Sequence, residues 1–500
     1  MKQSNQFFYS FLSPRPELWD HFFVVDVNRW NFQTRKVPGT LVAVNPDRPL
    51  RVAIIGAGPA GTYAADILSK SDIKTDIDII ERLPAPFGLV RYGVAPDHPR
   101  IKQIIVALAK ILGRSDVRLL ANVNVGTDLT LDDLRLHYDA VIFATGAFED
   151  AQLDIPGIEL QGSFGAADFV SWYDGHPDVP RDWHLDAREI AVFGVGNVAL
   201  DVARMLAKHP KDLATTEVPA NVMAGLEESP VTDVHVFGRR GPAQVKFTPL
   251  ELRELAQVPD VDVIVYPEDY DFDEGSQAAI EGHHQTKQVV KTLTDWTLRE
   301  PTGASRRVHL HFLHSPVEVL DDGTGNVDGV RMERTALQGD GTVRGTGEFL
   351  DYPAQAVYRA VGYWGSEIPG IPFDHTRGVI SNSEGRVVDE SGTHLPGFYT
   401  TGWIKRGPVG LIGHTKSDAT ETINHLVDDA AQLYQDSTAG AEQLSPDNLL
   451  AKLKERGVPV IEWADWEVLD AHERQLGEES GRERVKVVPR EEMTDIALKR

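Results

Sequence analysis

The sequence contains no cysteine among its 500 residues. Disulfide bonds, cysteine-ligated zinc and cysteine-ligated iron–sulfur clusters are therefore excluded, as is any mechanism that cycles a pair of thiols. Basic residues are also scarce, because 50 lysines and arginines face 75 aspartates and glutamates, a formal net charge of −25. A protein that binds nucleic acid needs basic surface for the phosphates, so we predict that nucleic acid is not a partner.

Long apolar runs are absent as well. No stretch of about 18 apolar residues occurs, so we expect no membrane span. The first twenty residues carry a short aromatic patch instead of the apolar core and small-residue cleavage site of a signal peptide, which favours a cytoplasmic protein. Apolar residues make up 41% of the chain, enough for ordinary globular cores, and the length allows about two to four domains.

The segment after residue 50 changes to alternating strands and helices. The stretch RVAIIGAGPAGTYAADILSK reads as a buried strand, a glycine turn and a helix. Gly56 permits the turn, Gly58 lets the backbone approach a pyrophosphate, and Gly61 allows the helix to pack closely on the strand. The next strand ends at Glu81, whose carboxylate can accept hydrogen bonds from a ribose. This pattern predicts a dinucleotide site.

A second unit of the same kind follows in EIAVFGVGNVALDVARML. It carries Gly194 and Gly196 in the alanine-ended variant of the motif. Its partner strand ends at Gly238 and is followed by Arg239 and Arg240. An NAD site would place an acidic residue there, whereas a guanidinium group matches a phosphate. We therefore predict that the second site binds the 2′-phosphate of NADP(H).

Two such units in one chain indicate one bound flavin dinucleotide, FAD, and one exchanging nicotinamide dinucleotide. The predicted fold class is α/β, with two Rossmann-like dinucleotide-binding domains in a disulfide-reductase-like flavoprotein architecture. We expect an N-terminal extension over 1–50, an FAD domain over 51–150 and 350–442, an NADP domain over 151–349 and a C-terminal tail over 443–500.

Four long segments make the chain similar to the adrenodoxin reductases and their bacterial relatives, the NADPH–ferredoxin reductases. They are ERLPAPFGLVRYGVAPDHPRIKQI, GNVALDVAR, GRRGPAQVKFTPLELREL and GWIKRGPVGLIGHTKSDATET. The resemblance runs from about Arg51 into the C-terminal tail and leaves out residues 1–50. It implies an enzyme in which NADPH reduces FAD by hydride transfer, and FAD then passes single electrons to a separate ferredoxin-type iron–sulfur protein.

The resemblance also implies individual site residues besides the motif glycines. FAD contacts are implied for Ala60, Glu81, Leu89, Val125, Gly146, Trp403, Gly410, Leu411 and Ile412. NADP contacts are implied for Asn197, Val198, Arg239, Arg240, Glu251 and Gly410.

The acid–base candidates that the resemblance implies are His98 and Glu254, beside the flavin and the nicotinamide. A turn histidine that bonds backbone and a solvated glutamate on a helix face are the alternatives. Hydride transfer needs proximity and stacking more than a strong acid or base, so we expect both residues to tune the reaction.

Three clusters outside the motifs carry expectations of their own. His283 and His284 lack a third ligand in helical register, so we predict a solvated loop and no metal site. The charge run GEESGRERVK, residues 477–486, is expected on the surface. An acidic ferredoxin needs a basic docking face on this acidic chain, and the candidates are Arg91, Arg100, Lys102, Lys405 and Arg406.

The sequence leaves two other functions, and the role of residues 1–50, as open alternatives. A flavin monooxygenase also uses FAD and NADPH, and a non-catalytic NADP-sensing protein could keep the fold; bound flavin and reaction with oxygen distinguish them. Residues 1–50 carry nine aromatic residues between positions 7 and 32. We expect these to be covered by the chain's own domains, by a second copy in a homodimer, or by a docking partner.

Overall fold

The computed structural model describes residues 48–410, 412–436 and 445–499. Its first part alternates strands and helices, as predicted. The elements are β1 Leu50–Ile55, α1 Pro59–Leu68, β2 Thr75–Glu81, α2 Leu89–Tyr92, α3 Pro99–Lys102, α4 Ile104–Leu112, β3 Val117–Ala121, α5 Leu131–His137, β4 Ala140–Phe143 and β5 Glu149–Asp150.

The second part repeats the alternation. Its elements are β6 Ser163–Gly165, α6 Ala166–Tyr173, β7 Glu189–Phe193, α7 Asn197–Ala207, α8 Ala220–Glu228, β8 Asp233–Gly238, α9 Pro249–Leu255, β9 Val261–Val265, α10 Glu274–Gly282, α11 His284–Trp296 and β10 Arg306–Phe312. Short 3₁₀ turns lie at Pro210–Asp212, Pro242–Gln244 and Pro267–Asp269. The side chains of Thr248 and Asp273 cap α9 and α10 at their first turns.

The third part begins with strands and ends with helices. The strands are β11 His314–Asp321, β12 Val327–Leu337, β13 Val343–Pro353, β14 Ala356–Arg359, β15 Tyr363–Trp364, β16 Phe373–Asp374, β17 Val379–Ile380, β18 Asn382–Ser383, β19 Arg386–Val388 and β20 His394–Thr400. The helices are α12 Trp403–Arg406, α13 Ile412–Asp436, α14 Pro446–Glu455, α15 Trp463–Ser480 and α16 Arg490–Ala497. Within the described ranges, no helix has the length and apolar content needed to cross a membrane.

Two parallel sheets carry the two glycine turns. The first sheet has the strand order β18-β19-β20-β4-β1-β2-β3, in which β20, β4, β1, β2 and β3 run parallel. The second has the order β6-β14-β7-β8-β10-β9 and is parallel throughout. Strand β1 is buried at all six positions, as its unbroken apolar run predicts. The predicted doubly wound α/β class is confirmed.

Strand β14 belongs to the second sheet, although it lies outside the segment predicted for the NADP domain. The predicted NADP segment ends at residue 349, yet β14 pairs with β6 and β7 in the second sheet. The apolar pattern of the sequence predicts that β14 is a buried strand, but only its pairing with other strands shows to which sheet it belongs. The other segment boundaries stay predictions.

A two-stranded ribbon connects the parts of the chain that form the two sheets. In it, Glu149 and Asp150 of β5 pair antiparallel with Trp364 and Tyr363 of β15. The Asp150 carboxylate accepts the Ala167 backbone N–H at 3.0 and 3.1 Å, at the first turn of α6. Burial nevertheless raises the pKa of Asp150 to about 6.

A small antiparallel sheet, β11-β12-β13, packs on one face of the second sheet. The opposite face of the second sheet carries the larger apolar core, which the Val234 and Val308 side chains enter. The face toward the small sheet is mixed: apolar residues such as Phe193 and Met332 pack there beside a group of imidazoles described below.

The charge run at residues 477–486 is a solvated surface only in part. Glu478, Glu479 and Glu483 are exposed as expected, whereas two of its basic residues are buried. Arg484 is 5% exposed and Lys486 is 4% exposed. Arg484 pairs with Glu473 of α15 at 2.9 Å, and Lys486 contacts Glu217 at 2.8 Å. Buried charges are tolerated only when paired, and here Arg484 is paired by the preceding helix α15 and Lys486 by a carboxylate from a distant part of the chain.

Candidate functional site

The first glycine turn lies between β1 and α1. Gly56 adopts φ +112°, and a Cβ there would lie 2.5 Å from the Ala144 carbonyl oxygen, so only glycine fits. Gly58 is the residue before α1, and its Cα faces Gly88, the residue before Leu89 and α2. Gly61 lies in α1 against the turn. The backbone is therefore laid out as a pyrophosphate-binding turn requires.

Glu81 is fixed beside this turn by two backbone donors. The Ala57 N–H donates to Glu81 Oε2 at 2.8 Å, and the Leu83 N–H donates to Oε1 at 2.9 Å. Burial raises the pKa of Glu81, against the lowering effect of these two bonds. Each carboxylate oxygen still has a second lone pair, so the predicted ribose contact is compatible with this arrangement.

The C-terminal part of the chain returns to the first turn. A Cβ on Gly402 would lie 2.6 Å from the Ala60 Cβ, so the two segments touch. Trp403 follows and stacks on Tyr363 of the ribbon, with ring centroids 6.1 Å apart. Gly410 has φ +88°, and Ile412 is the first residue of α13. Leu411 lies outside the described residues.

Residues near the first turn leave room for a ligand of the FAD type. The Thr145 hydroxyl is buried without a hydrogen-bond partner among the described residues. The next residue, Gly146, has open space where a Cβ would stand. Val125 is half-buried against the apolar core of the first sheet. An unpaired buried hydroxyl beside open space fits a polar cofactor, so the first site passes this test for FAD.

The second glycine turn repeats the geometry of the first. Gly194 adopts φ +137°, and a Cβ there would lie 2.2 Å from the Ala360 carbonyl oxygen. Gly196 precedes α7 and would meet nothing within 4 Å. Asn197 uses its Oδ1 to accept the Thr248 N–H at 2.9 Å, which fixes α9 beside the turn, and Val198 packs on the core.

Three cations gather beside this second turn. Arg239 and Arg240 follow β8, and both are held through their carbonyls, by the Thr335 hydroxyl at 2.7 Å and the Leu313 N–H at 3.2 Å. Lys246 reaches the turn because its N–H donates to the Val195 carbonyl at 2.9 Å.

These three side chains repel one another without a counter-charge. Burial, and then the Arg239 charge, lowers the pKa of Arg240. Burial, and then the two arginines, lowers the pKa of Lys246. No described carboxylate forms an ion pair with any of the three. A cluster of this kind suits a dianion such as a 2′-phosphate. The sequence analysis did not identify Lys246 as a site residue, because it lies in a turn and outside the glycine motif. The signal that could have found it is its position in the stretch VKF, within a segment that carries the family resemblance.

The two acid–base candidates meet where the two halves of the chain touch. His98 precedes α3, is 6% exposed, and its Nδ1 lies 3.0 Å from Glu254 Oε2 of α9. Its Nε2 lies 3.0 Å from Asp201 Oδ1 of α7 and 2.6 Å from the Arg204 guanidinium. Burial opposes protonation, but the hydrogen bond and charge of Asp201 prevail and raise the pKa of His98. The His98 ring therefore contacts side chains and not backbone, while the Glu254 side chain remains 34% exposed.

Glu251 lies on α9 one turn before Glu254. Its Oε2 is buried without a hydrogen-bond partner among the described residues, and burial together with the Asp201 charge raises its pKa. An unpaired carboxylate oxygen at this junction is placed to meet a ligand hydroxyl or amide, which suits its predicted NADP contact.

The predicted basic docking face is wrong for three of its five residues. Arg91 is 2% exposed and pairs with Glu473 at 2.6 Å. Lys102 is 8% exposed and Lys405 6% exposed. Lys102 pairs with Glu217 at 2.7 Å, and Lys405 contacts Asp418 at 3.1 Å. Only Arg100 is exposed, and Arg406 turns back to the Val409 carbonyl.

A layer of imidazoles, which the sequence analysis did not predict, lies between the second sheet and the small sheet. His235, His309 and His311 each place one nitrogen within 4.8 Å of the others. Asp269, His311 and His314 form a second such group. The pair His283 and His284, by contrast, is exposed.

Comparison with known proteins first defines the class. A family model described as pyridine nucleotide-disulphide oxidoreductase matches residues 50–236. Together with two glycine turns on two parallel sheets, this places the chain among oxidoreductases that bind two dinucleotides. The sequence-predicted cofactors, FAD and NADP(H), are confirmed at this level.

Full-length relatives then define the family. The chain is 41% identical over 466 residues to NADPH-ferredoxin reductase FprA of Mycobacterium tuberculosis, which covers 90% of this chain and 100% of the relative. It is 37% identical over 467 residues to the mitochondrial NADPH:adrenodoxin oxidoreductase of Arabidopsis thaliana, covering 90% and 96%. The structure of Mycobacterium tuberculosis FprA in complex with NADPH matches with a TM-score of 0.85 at 39% identity, over 90% of this chain and all of that one. The chain belongs to the family of NADPH:adrenodoxin and NADPH–ferredoxin oxidoreductases.

Proposed function

We propose that this protein oxidises NADPH and passes the electrons, through bound FAD, to a ferredoxin-type iron–sulfur protein. The observation that carries the proposal is the contrast between the two turns: one has a carboxylate anchored beside it, and the other has three cations without a counter-charge. Membership of the NADPH:adrenodoxin and NADPH–ferredoxin family supports the same assignment.

Bound FAD would supply the conversion of a two-electron hydride donor into one-electron steps. The chain's own residues bind and orient the partners of that chemistry. Arg239, Arg240 and Lys246 hold the 2′-phosphate, while Gly194 and Gly196 admit the pyrophosphate beside the first turn of α7. Proximity of two stacked rings is the main requirement for hydride transfer, so rigid binding at both turns is the chain's largest contribution.

His98 and Glu254 meet at the junction of the two halves. The contact of 3.0 Å between His98 Nδ1 and Glu254 Oε2 links a residue next to α3 with one on α9. A charge change at this junction alters the field felt by both bound rings and the fit between the halves. We therefore assign both residues a tuning role, with Asp201 and Arg204 as positioning residues.

The experiment that tests this electron-transfer function uses the full chain with its flavin. Anaerobic addition of NADPH should bleach the flavin absorbance, and addition of an oxidised ferredoxin-type protein should restore it while the iron–sulfur centre is reduced. NADH at the same concentration is the internal control. Bleaching without transfer to any iron–sulfur protein, but with oxygen incorporated into an organic substrate, would indicate the monooxygenase instead. A chain that retains no flavin would indicate the NADP-sensing alternative.

Two finer assignments belong to the proposal. We place the protein in the cytoplasm, which cell fractionation tests. Homodimer formation or partner docking through residues 1–50 stays a prediction, because residues 1–47 lie outside the described part of the chain. Deletion of residues 1–45, followed by measurement of mass in solution and of acceptor preference, tests it.

A further inference from the structure

The imidazole layer has no place in the proposed reaction. His235 lies on β8 and His309 on β10, and the two residues are directly opposite each other in the register of these parallel strands. His311 is two residues further along β10, and so projects from the same face as His309. The intervening residues Val308 and Leu310 enter the apolar core on the other face. Three imidazoles are thus presented together on one face of a sheet.

The nitrogens of this group have the spacing of metal ligands. His235 Nδ1 lies 3.1 Å from His311 Nε2, and one nitrogen of His309 lies within 4.8 Å of both. A zinc ion bound at about 2.0–2.1 Å from each nitrogen separates two of its ligands by roughly 3.3 Å. We propose that His235, His309 and His311 form a binding site for a divalent transition-metal ion, with zinc as the favoured ion.

Groups around the imidazoles resemble the surroundings of histidine metal ligands. His309 Nε2 lies 2.9 Å from Asp233 Oδ1, and its Nδ1 lies 2.7 Å from the Tyr266 hydroxyl. Whichever of the two nitrogens binds the metal ion, the other keeps a hydrogen-bond partner that orients the ring. His311 turns its Nδ1 toward Asp269, at 3.6 Å from Oδ2. Carboxylates behind ligating histidines fix the ring orientation and raise ligand basicity.

The second group, Asp269, His311 and His314, is the poorer site. Arg334 pairs with Asp269 and brings a positive charge to the place a cation would occupy. The same guanidinium also lies 3.5 Å from His314 Nε2, so the cation contacts a ligand of this group directly. The first group also has a nearby cation, Arg307, but its guanidinium pairs with Asp233 and no described hydrogen bond joins it to an imidazole. His235 is half-buried, which leaves a route for an ion.

Binding requires one local adjustment. The His235 and His309 rings are stacked, with centroids 4.3 Å apart and planes 10° from parallel. Two parallel rings cannot both direct a lone pair at one ion, so one ring must rotate out of the stack. Imidazole nitrogen suits zinc, copper and nickel, and a site without cysteine favours these ions over iron–sulfur chemistry.

The test uses the full chain with bound FAD, freed of metal by a chelator. Calorimetric titration with Zn²⁺ should give one equivalent per chain, and Co²⁺ should give the visible absorption of a low-coordinate site beyond the flavin bands. H235A and H311A should abolish both signals. D233N, which removes the charge of the carboxylate that His309 shares with Arg307, should weaken Zn²⁺ binding by about 10–100-fold.

The matched control is the double variant H283A/H284A, which removes two exposed histidines and should change neither signal. Flavin content and NADPH-dependent bleaching show that each variant is folded. If H311A does not fold, H235A and D233N decide the question. Absence of one-to-one Zn²⁺ binding by the native chain, or an affinity that neither H235A nor D233N changes, overturns the site and leaves a metal-free hydrogen-bonded layer.

Discussion

The two glycine turns have the same backbone conformation and differ in the charged side chains that lie beside them. Gly56 and Gly194 both adopt positive φ, and in both a Cβ would collide with a carbonyl oxygen of a neighbouring strand's end. Beside the first turn a carboxylate is fixed by two backbone N–H groups. Beside the second, three cations stand without a carboxylate partner in the part of the chain that the structure describes.

The difference shows that turn geometry and ligand choice are separate properties of this fold. The backbone conformation accepts any dinucleotide pyrophosphate, because N–H groups and a helix terminus do not distinguish one from another. The residues after the second strand of each unit carry the discrimination. Variants of the turn should therefore affect stability or all ligands, whereas variants of the flanking charges should affect one ligand.

The largest effect is expected from R239A/R240A. Each charge-assisted contact to a phosphate contributes about 1.5–3 kcal/mol, so kcat/KM for NADPH should fall on the order of 10²–10⁴-fold. NADH carries no 2′-phosphate and should be used about as well as before. Steady-state kinetics with both cofactors check this, and R344A, at an exposed position on β13, is the control. Equal losses with NADPH and NADH would show that the arginines support the fold instead.

The next effect is expected from G194A compared with G196A. Backbone strain at Gly194 alone costs about 1–3 kcal/mol, and the collision with the Ala360 carbonyl adds to it. G196A has negative φ and open space, so it should fold normally but keep a pyrophosphate from the backbone. Urea unfolding and NADPH titration separate the two effects. Similar stability of both variants would contradict the role of the left-handed conformation.

K246A should have a smaller effect of the same sign as the arginine pair. K246A removes one cation where the arginine variant removes two, so we expect about a tenfold rise in the dissociation constant of 2′,5′-ADP, or about 1.4 kcal/mol. Affinity for 5′-AMP should not change, and K246R should restore most of the loss. K287A, on exposed α11, is the control. Loss of affinity for both nucleotides would remove Lys246 from the phosphate site.

The smallest effect extends the comparison to Asp150, which holds a backbone N–H as Glu81 does. Its pKa of about 6 in the folded chain exceeds the ordinary value of 3.8, so its contribution to stability is complete below pH 4 and lost as pH rises through 6. D150N should therefore gain stability relative to the native chain between pH 4 and 7, by about 1 kcal/mol once partial exposure is allowed for. Urea unfolding across this range measures it, with D186N as control; parallel curves would show that burial does not perturb Asp150.

Local signals predicted the turns, the sheets and the cofactors. A glycine turn, its flanking strand and its helix occupy about twenty consecutive residues, so the sequence contains the whole unit. The placement of β14 was not predictable in the same way, because its neighbours β6 and β7 lie more than 160 residues earlier. An apolar run indicates that a strand is buried, but it does not indicate which sheet the strand joins.

Charge contacts between distant residues account for the wrong expectations. Arg91 and Glu473 are 382 positions apart, and neither residue type is expected to be buried when considered alone. The imidazole layer was missed for a related reason. His235 and His311 are 76 positions apart, and only the pairing of β8 with β10 brings them together.

The buried pairs at the C-terminal end bear on how the chain is made. Arg91 and Lys102 find carboxylates on α15 and at Glu217, and Lys486 shares Glu217 with Lys102. During synthesis the N-terminal part of a protein leaves the ribosome first and begins to fold there. Here strands β1 to β4 of the first sheet emerge hundreds of residues before Glu473 and Lys486, so Arg91 in particular waits unpaired for its partner. The first domain therefore reaches its final state only when translation is nearly complete, and a chain that stops short of α15 would be released with an uncompensated charge in its interior.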